Sequence, residues 1–199
     1  PPRTGAARFG HEIALVVGLL ALVFWLLALV SYSAQDAAWS TSGAGGPLRN
    51  WAGKLGAWLA DLMYVLMGFS AWWCVAAAVS AWLRGVRRWL GGSRVVRPAL
   101  TSVAAWWSRI RSAHWVFWLG LVLVLAASTG LEWTRLYRWD DALPGAAGGV
   151  LGYLGGPFAV KWLGFTGSAL LGILALLTGV SLLFGFSWTR VAERIGGTL

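Results

Sequence analysis

Eighteen consecutive residues, Ile13 to Val30, carry no charge. As a helix rising 1.5 Å per residue they reach about 27 Å, close to the ~30 Å hydrocarbon core of a bilayer. A soluble domain of this size needs no such run. Composition points the same way, with 58% hydrophobic and 12% charged residues and a mean hydropathy of +0.68. Arg3, Arg8 and Glu12 precede the run, and Ser31-Tyr32-Ser33 offers the small-x-small pattern of a signal-peptide cleavage site. The run is longer than the ~7–15 residues of a signal core, so an uncleaved first helix over about 12–33 is expected. The chain opens Pro1-Pro2 without methionine and is read as part of something longer.

A basic connector, 84–113, separates the first two apolar runs from the last two. It holds Arg84, Arg87, Arg88, Arg94, Arg97, Arg109 and Arg111, and no acid. Arginines beside spanning segments stay cytoplasmic, because carrying guanidinium groups across a bilayer is unfavourable. These seven are therefore read as topology-setting, lipid-facing residues. Within the connector, Val103, Trp106, Trp107 and Ile110 recur at helical spacing, which suits a short helix over 99–113 in the headgroup layer. Arginine alternating with aromatics also fits a nucleic-acid surface. The net charge of +9 and the pI near 11.1 are read first as topology and anionic lipid.

Four spans follow, at about 12–33, 55–83, 115–131 and 163–188, with outer loops 34–54 and 132–162. The expected fold is an all-α integral membrane domain with both termini cytoplasmic. Arg3, Arg8, the seven connector arginines, Arg190 and Arg194 then lie inside, eleven of the sixteen basic residues, with only Glu12 and Glu193 among the acids. The reverse orientation would put all eleven outside. Many of the sixteen tryptophans stand where apolar runs end, as in an interfacial belt.

Individual residues sharpen this map. The second run is about 43 Å long as one helix and must tilt or project. Asp61 is its only acid, and is read as an interfacial carboxylate, solvated or near a helix start, since no second ionisable group follows before Leu83 to continue a relay. Loop 34–54 has a Gly/Ser/Pro centre at 40–47 and is expected to be ordered at its edges. The stretch 146–162, interrupted by Gly148, Gly149, Gly152, Gly155, Gly156 and Pro157, suits a short outer-surface helix and turn. A broken transporter helix is the rival, but it wants a matching broken segment in the first half, and none exists in the sequence. In the last span Gly164, Ser168, Gly172, Ala175 and Gly179 share one face and are candidates for close helix packing.

Chemistry finds little foothold. His11-Glu12-Ile13-Ala14-Leu15 starts like HExxH, but Leu15 stands where the second histidine belongs. Two histidines and the single Cys74 make a protein-held metal improbable. There is no phosphate-binding G-x-x-x-x-G-K-[ST] loop and no G-x-S-x-G elbow. No catalytic, cofactor-binding or metal-binding residue is expected.

Two groups of residues carry a resemblance. Asp36-Ala37-Ala38-Trp39-Ser40-Thr41, then Asn50-Trp51-Ala52-Gly53-Lys54-Leu55-Gly56-Ala57-Trp58-Leu59-Ala60-Asp61, resembles a D-P-x-W-S and N-x-G-x-x-G-A-x-x-A-D pattern. Gly148-Gly149-Val150-Leu151-Gly152 and Phe165-Thr166-Gly167-Ser168-Ala169-Leu170-Leu171 form the second group, closed by Gly185-Phe186-Ser187-Trp188 and Glu193-Arg194-Ile195-Gly196. Together they resemble the amino-terminal membrane domain of the FtsK/SpoIIIE family of bacterial DNA translocases. Ala37 replaces a usual proline, and the second span lacks a mid-helix proline that relatives often have. The resemblance implies an inner-membrane anchor and assembly domain at the division septum, coupling division to chromosome segregation. It implies an ATP- and Mg-dependent motor beyond residue 199 that alone contacts DNA, other division proteins as partners, and a homo-oligomer formed through the full-length protein. A small transporter or channel subunit and a motor-less scaffold are the alternatives.

Overall fold

The computed structural model describes residues 5–43, 45–90, 114–136 and 147–186, with isolated positions beyond them. Among the described residues five helices follow in order: α1 Gly5–Val30, α2 Gly53–Met67, α3 Ala71–Leu90, α4 His114–Arg135 and α5 Gly149–Phe184. A 3-10 turn, Gly68–Ser70, links α2 to α3. Four stretches are long and apolar enough to cross a bilayer: Phe9–Val30, Gly53–Leu90, His114–Arg135 and Gly149–Phe184. No strand occurs among the described residues, so the architecture is all-α with four spans. The end carrying residues 31–52 is called the loop end, and that carrying Arg84, Arg87 and Arg88 the arginine end.

The second stretch has 38 residues. A straight helix of that length would run to about 57 Å, nearly twice the bilayer core. The chain resolves the mismatch by breaking. Gly68 adopts φ 59°, which glycine tolerates and a Cβ would strain. Beyond the turn, α3 supplies 20 residues, about 30 Å, and suffices as a span by itself. Meanwhile α2 runs over the end of α1 instead of down its side. A Cβ on Gly56 would stand 3.4 Å from the Ala28 Cβ, while Tyr64 donates its hydroxyl to the Leu29 carbonyl at 3.1 Å. Two points about 12 Å apart along α2 thus meet neighbouring residues of α1, the tyrosine's own reach covering part of the gap. By contrast, α3 does descend alongside α1, with Trp82 Nε1 donating to the Leu15 carbonyl at 2.9 Å. Ala28, Leu29, Ala60, Tyr64, Ala71 and Val75 form the core where the three helices meet.

The second hairpin is α4 against α5. A non-helical residue, Gly164 (φ 68°, ψ 178°), divides α5 into two limbs. Residues 149–163 climb obliquely along the last turns of α4, with Gly152 on the Thr129 carbonyl and Gly156 on the Trp133 ring. After the kink the chain returns along α4. Gly172 meets Leu131, Gly179 meets Val124, and the Leu183 amide faces Gly120. Pro157 interrupts one backbone hydrogen bond in the first limb without ending it. Ala77, Val124 and Leu183 join the two hairpins near the middle.

Several sequence expectations change. The span expected to run continuously over 55–83 is broken at Gly68–Ser70, so a broken segment does exist in the first half. The third helix continues past Leu131 to Arg135 and takes Glu132 into the protein instead of into an outer segment. The stretch 146–162 is helical from Gly149 and continues into the last span as far as the kink. The helix expected over 99–113 lies outside the described residues.

Candidate functional site: three buried carboxylates at the loop end

The first carboxylate cluster is built by the loop. Asp36 is buried and accepts the backbone N–H groups of Arg49 and Asn50, both at 2.8 Å. Asn50, also buried, donates from Nδ2 to the Ala28 carbonyl at 2.9 Å and accepts the Ala52 N–H at 3.0 Å, just ahead of α2. The Trp51 N–H donates to Ser31 Oγ. At the loop's far side Ser40 donates twice to Asp61, from its N–H at 2.6 Å and its hydroxyl at 2.7 Å. Thr41 Oγ1 reaches the Asp36 carbonyl. These bonds tie the loop up to Ser40 and Thr41 on one side and from Arg49 onward on the other.

Asp61 departs from the expected solvated or helix-start carboxylate. It lies in the third turn of α2 with 0% exposure. A charge so buried is tolerated where donors replace water, and Ser40 supplies them from 21 residues upstream. Tyr32 packs edge-on against Tyr64, ring centroids 5.0 Å apart. Burial first, then the negative charge of Asp61 and the neighbouring Tyr64, pushes its hydroxyl up to about 12.

The second cluster joins the hairpins. Glu132, 6% exposed, accepts the hydroxyl of Ser70 from the 3-10 turn and that of Ser128, one helical turn before it, at 3.3 Å. Ser70 and Ser128 also bond each other at 2.7 Å, and Trp73 Nε1 donates to Ser128 Oγ at 3.1 Å. Glu132 Oε2 is sealed from solvent and meets no donor at full hydrogen-bond geometry. The backbone N–H groups turned towards the carboxyl group are those of Phe69 and Gly148. Gly148 and Gly149 permit this closeness. A Cβ on Gly149 would stand 2.6 Å from the Met67 nitrogen, and one on Gly68 2.6 Å from the Gly148 nitrogen.

The residues singled out by sequence fall in different settings. Arg84 turns inward, donating to the Leu183 carbonyl at 3.2 Å and to Ser80, with its guanidinium 4.7 Å from the Phe117 ring centre. It meets the end of α5 and is half-buried. Arg87 and Arg88 are exposed. Arg94, Arg97, Arg109 and Arg111 lie outside the described residues. Of the small-residue face, Ser168 is buried, Gly172 and Gly179 press on α4, and Ala175 is half-buried between them. Gly164 stands apart as the exposed kink. Glu132, Ser70, Ser128, Asp36 and Asn50 were not singled out as site residues. The i, i+4 pair Ser128–Glu132 was the available signal, masked by the charged residues that follow it.

Among the described residues no group of histidine, cysteine and carboxylate side chains could hold a metal ion. What the site can do is hold backbone: each carboxylate gathers N–H and hydroxyl donors from chain segments distant in sequence.

Comparison with known proteins identifies the domain. The family described as the 4TM region of DNA translocase FtsK/SpoIIIE matches residues 7–196. A DNA translocase FtsK 2 of Ralstonia nicotianae is 41% identical over 162 residues, covering 81% of this chain and 20% of that protein. A DNA translocase FtsK 1 of Neisseria meningitidis serogroup B is 31% identical over 201 residues, covering 97% and 23%. The DNA translocase FtsK of Pseudomonas syringae pv. syringae is 30% identical over 172 residues, covering 81% and 18%. No solved structure matches. The chain spans about a fifth of the length of these curated relatives. It belongs to the FtsK/SpoIIIE family, as its four-span membrane region.

Proposed function

We propose that this domain is the septal anchor and assembly module of a DNA translocase that couples cell division to chromosome segregation. The observation that carries the reading is the match of a four-span region, over 7–196, to about a fifth of proteins named as DNA translocases. In it, the arginine end is cytoplasmic, both termini are inside, and the loop end faces out of a bacterial inner membrane. Arg87, Arg88, Arg94, Arg97, Arg109 and Arg111 hold the connector at the anionic inner leaflet. The motor, with its ATP, Mg and DNA contacts, lies beyond this segment, which carries no enzymatic step. Other division proteins are the partners, and the full-length protein forms a homo-oligomer.

A transporter reading has one observation in its favour, the breaks at Gly68–Ser70 and Gly164 in the two halves. Against it, the start of α3 and that of α5 are taken up by Glu132, which is bonded and buried. The anchor reading accounts for the family match as well.

Two measurements test it. Cysteines introduced at Ser42 and at Ser93, in a Cys74→Ala background, should label from outside and only after permeabilisation, respectively. Outside labelling at Ser93 overturns the orientation. Replacing this region of the full-length protein by an unrelated four-span anchor should keep membrane attachment and abolish septal accumulation. Undiminished septal accumulation would remove the anchor role.

A further inference from the structure

A broken membrane helix presents N–H groups without partners and the positive end of a dipole, and in transporters such ends hold anionic substrate groups. Two such ends converge here. One is the Gly68–Ser70 turn that opens α3, and the other is Gly148, which opens α5. They touch through backbone, since a Cβ on Gly68 would stand 2.6 Å from the Gly148 nitrogen. Between them stands a carboxylate that is 6% exposed, bonded to the Ser70 and Ser128 hydroxyls, with the Phe69 and Gly148 N–H groups turned to it. Its Oε2 is buried and aimed at the two glycine-rich helix starts, with a Gly68 Cβ position only 2.9 Å away.

We propose that this is a carboxylate-binding site whose resident ligand is the protein's own Glu132. The side chain comes from α4, the hydroxyl and one N–H donor from the turn before α3, and the other N–H donor from the start of α5. The tethered anion thereby pins one hairpin to the other. Ser128 supplies a further hydroxyl from the helix that carries the ligand, and Trp73 holds Ser128 in place from α3. Shape defines what else fits. Cutting Glu132 back to its Cβ removes the equivalent of one acetate ion, so acetate is the matching free ligand and a branched carboxylate such as pivalate is too large. The inference concerns packing within the domain and stands independently of the septal reading.

The test uses the full 199-residue chain in dodecyl maltoside, followed by thermal unfolding with circular dichroism. Glu132→Ala should unfold several degrees below the parent. Sodium acetate should raise its Tm in a saturable manner, beyond sodium chloride of equal ionic strength, while pivalate should not and the parent should not respond. Adding Ser70→Ala to Glu132→Ala should shift half-saturation by acetate at least threefold upward. A Glu132→Ala Tm equal to the parent's overturns the proposal, as does a lowered Tm that acetate raises no more than chloride does. Should Glu132→Ala yield no folded protein, Glu132→Gln decides, because it keeps the shape and replaces the carboxyl group by an amide. A Tm below the parent's is expected, and one equal to it overturns the pinning role.

Discussion

Between α4 and α5 the backbones touch. A single methyl on Gly179 would stand 2.9 Å from the Val124 nitrogen, and one on Gly120 2.7 Å from the Leu183 nitrogen. Between α1 and α3 the contact is made at arm's length, by Trp82 reaching the Leu15 carbonyl. The first hairpin is instead tied at its loop end, where Asn50 and Tyr64 bond the last carbonyls of α1 and Ser40 holds Asp61. In lipid, burying leucine against leucine gains little, because the acyl chains are equally apolar. Helices then associate by dispersion at short range or by hydrogen bonds. The second hairpin uses the former and the first hairpin the latter.

The largest effect that would break this comparison is expected at Gly179. Gly179→Leu should destabilise the domain by about 3 kcal/mol, the upper range of overpacking, since beside Val124 Cγ2 it meets backbone atoms of Val124 and Gly120 that cannot swing aside. Unfolding in graded dodecyl sulfate reads this directly. A loss near zero would mean that the hairpins do not differ in kind.

Next comes the polar tie. Asp61→Ala removes both bonds from Ser40, and about 2 kcal/mol is expected, as for hydrogen bonds to a charged group. A cysteine at Ser42 should also label faster in this background. Unchanged labelling and stability would show that the loop is held by other contacts.

Gly172→Leu sharpens the contrast within the second hairpin. Its obstruction is the far end of the Leu131 side chain, 2.9 Å from a Cβ, which can rotate away. About 1 kcal/mol is expected, clearly less than at Gly179. Leu174→Ile, at a position 61% exposed, should stay within about 0.5 kcal/mol. Equal losses at Gly172 and Gly179 would remove the distinction between backbone and side-chain contact.

The smallest effect concerns Tyr32 and pH. Its raised value means that the folded state keeps the proton where the unfolded chain, at the ordinary value of 10.0, has begun to lose it. Stability is therefore undiminished below about pH 10 and falls as pH rises towards about 12. Tyr32→Phe should lose less stability over that window than the parent and behave alike at neutral pH. Parallel pH profiles would show that burial and the neighbouring Asp61 do not raise the Tyr32 value.

Hydropathy made the four spans legible, because length and the absence of charge depend on no partner. Gly172 and Gly179, seven residues apart, both lie against α4. Gly164 obeyed the same spacing and became a kink, since small size permits both close approach and a positive φ. The break at Gly68–Ser70 was not legible. Its residues, Gly-Phe-Ser, sit inside an apolar run without proline, and the contacts that hold the turn, with Gly148, Ser128 and Glu132, come from the other hairpin. Asp61 and Glu132 failed for a related reason. Their partners lie far along the chain, 21 residues away at Ser40 and 62 at Ser70, so local sequence suggested solvent.

The oblique course of α2 and of residues 149–163 has a consequence for the surrounding bilayer. Both lie at the loop end, and both carry outward apolar side chains: Leu55 and Trp58 on one, Leu154 and Phe158 on the other. Among the described residues, the arginine end holds only the upright helices. The described helices therefore take up more area at the loop end than at the arginine end. An inclusion of that shape is least strained where the membrane bows outward on its broad side, so its lateral distribution should follow local bilayer curvature.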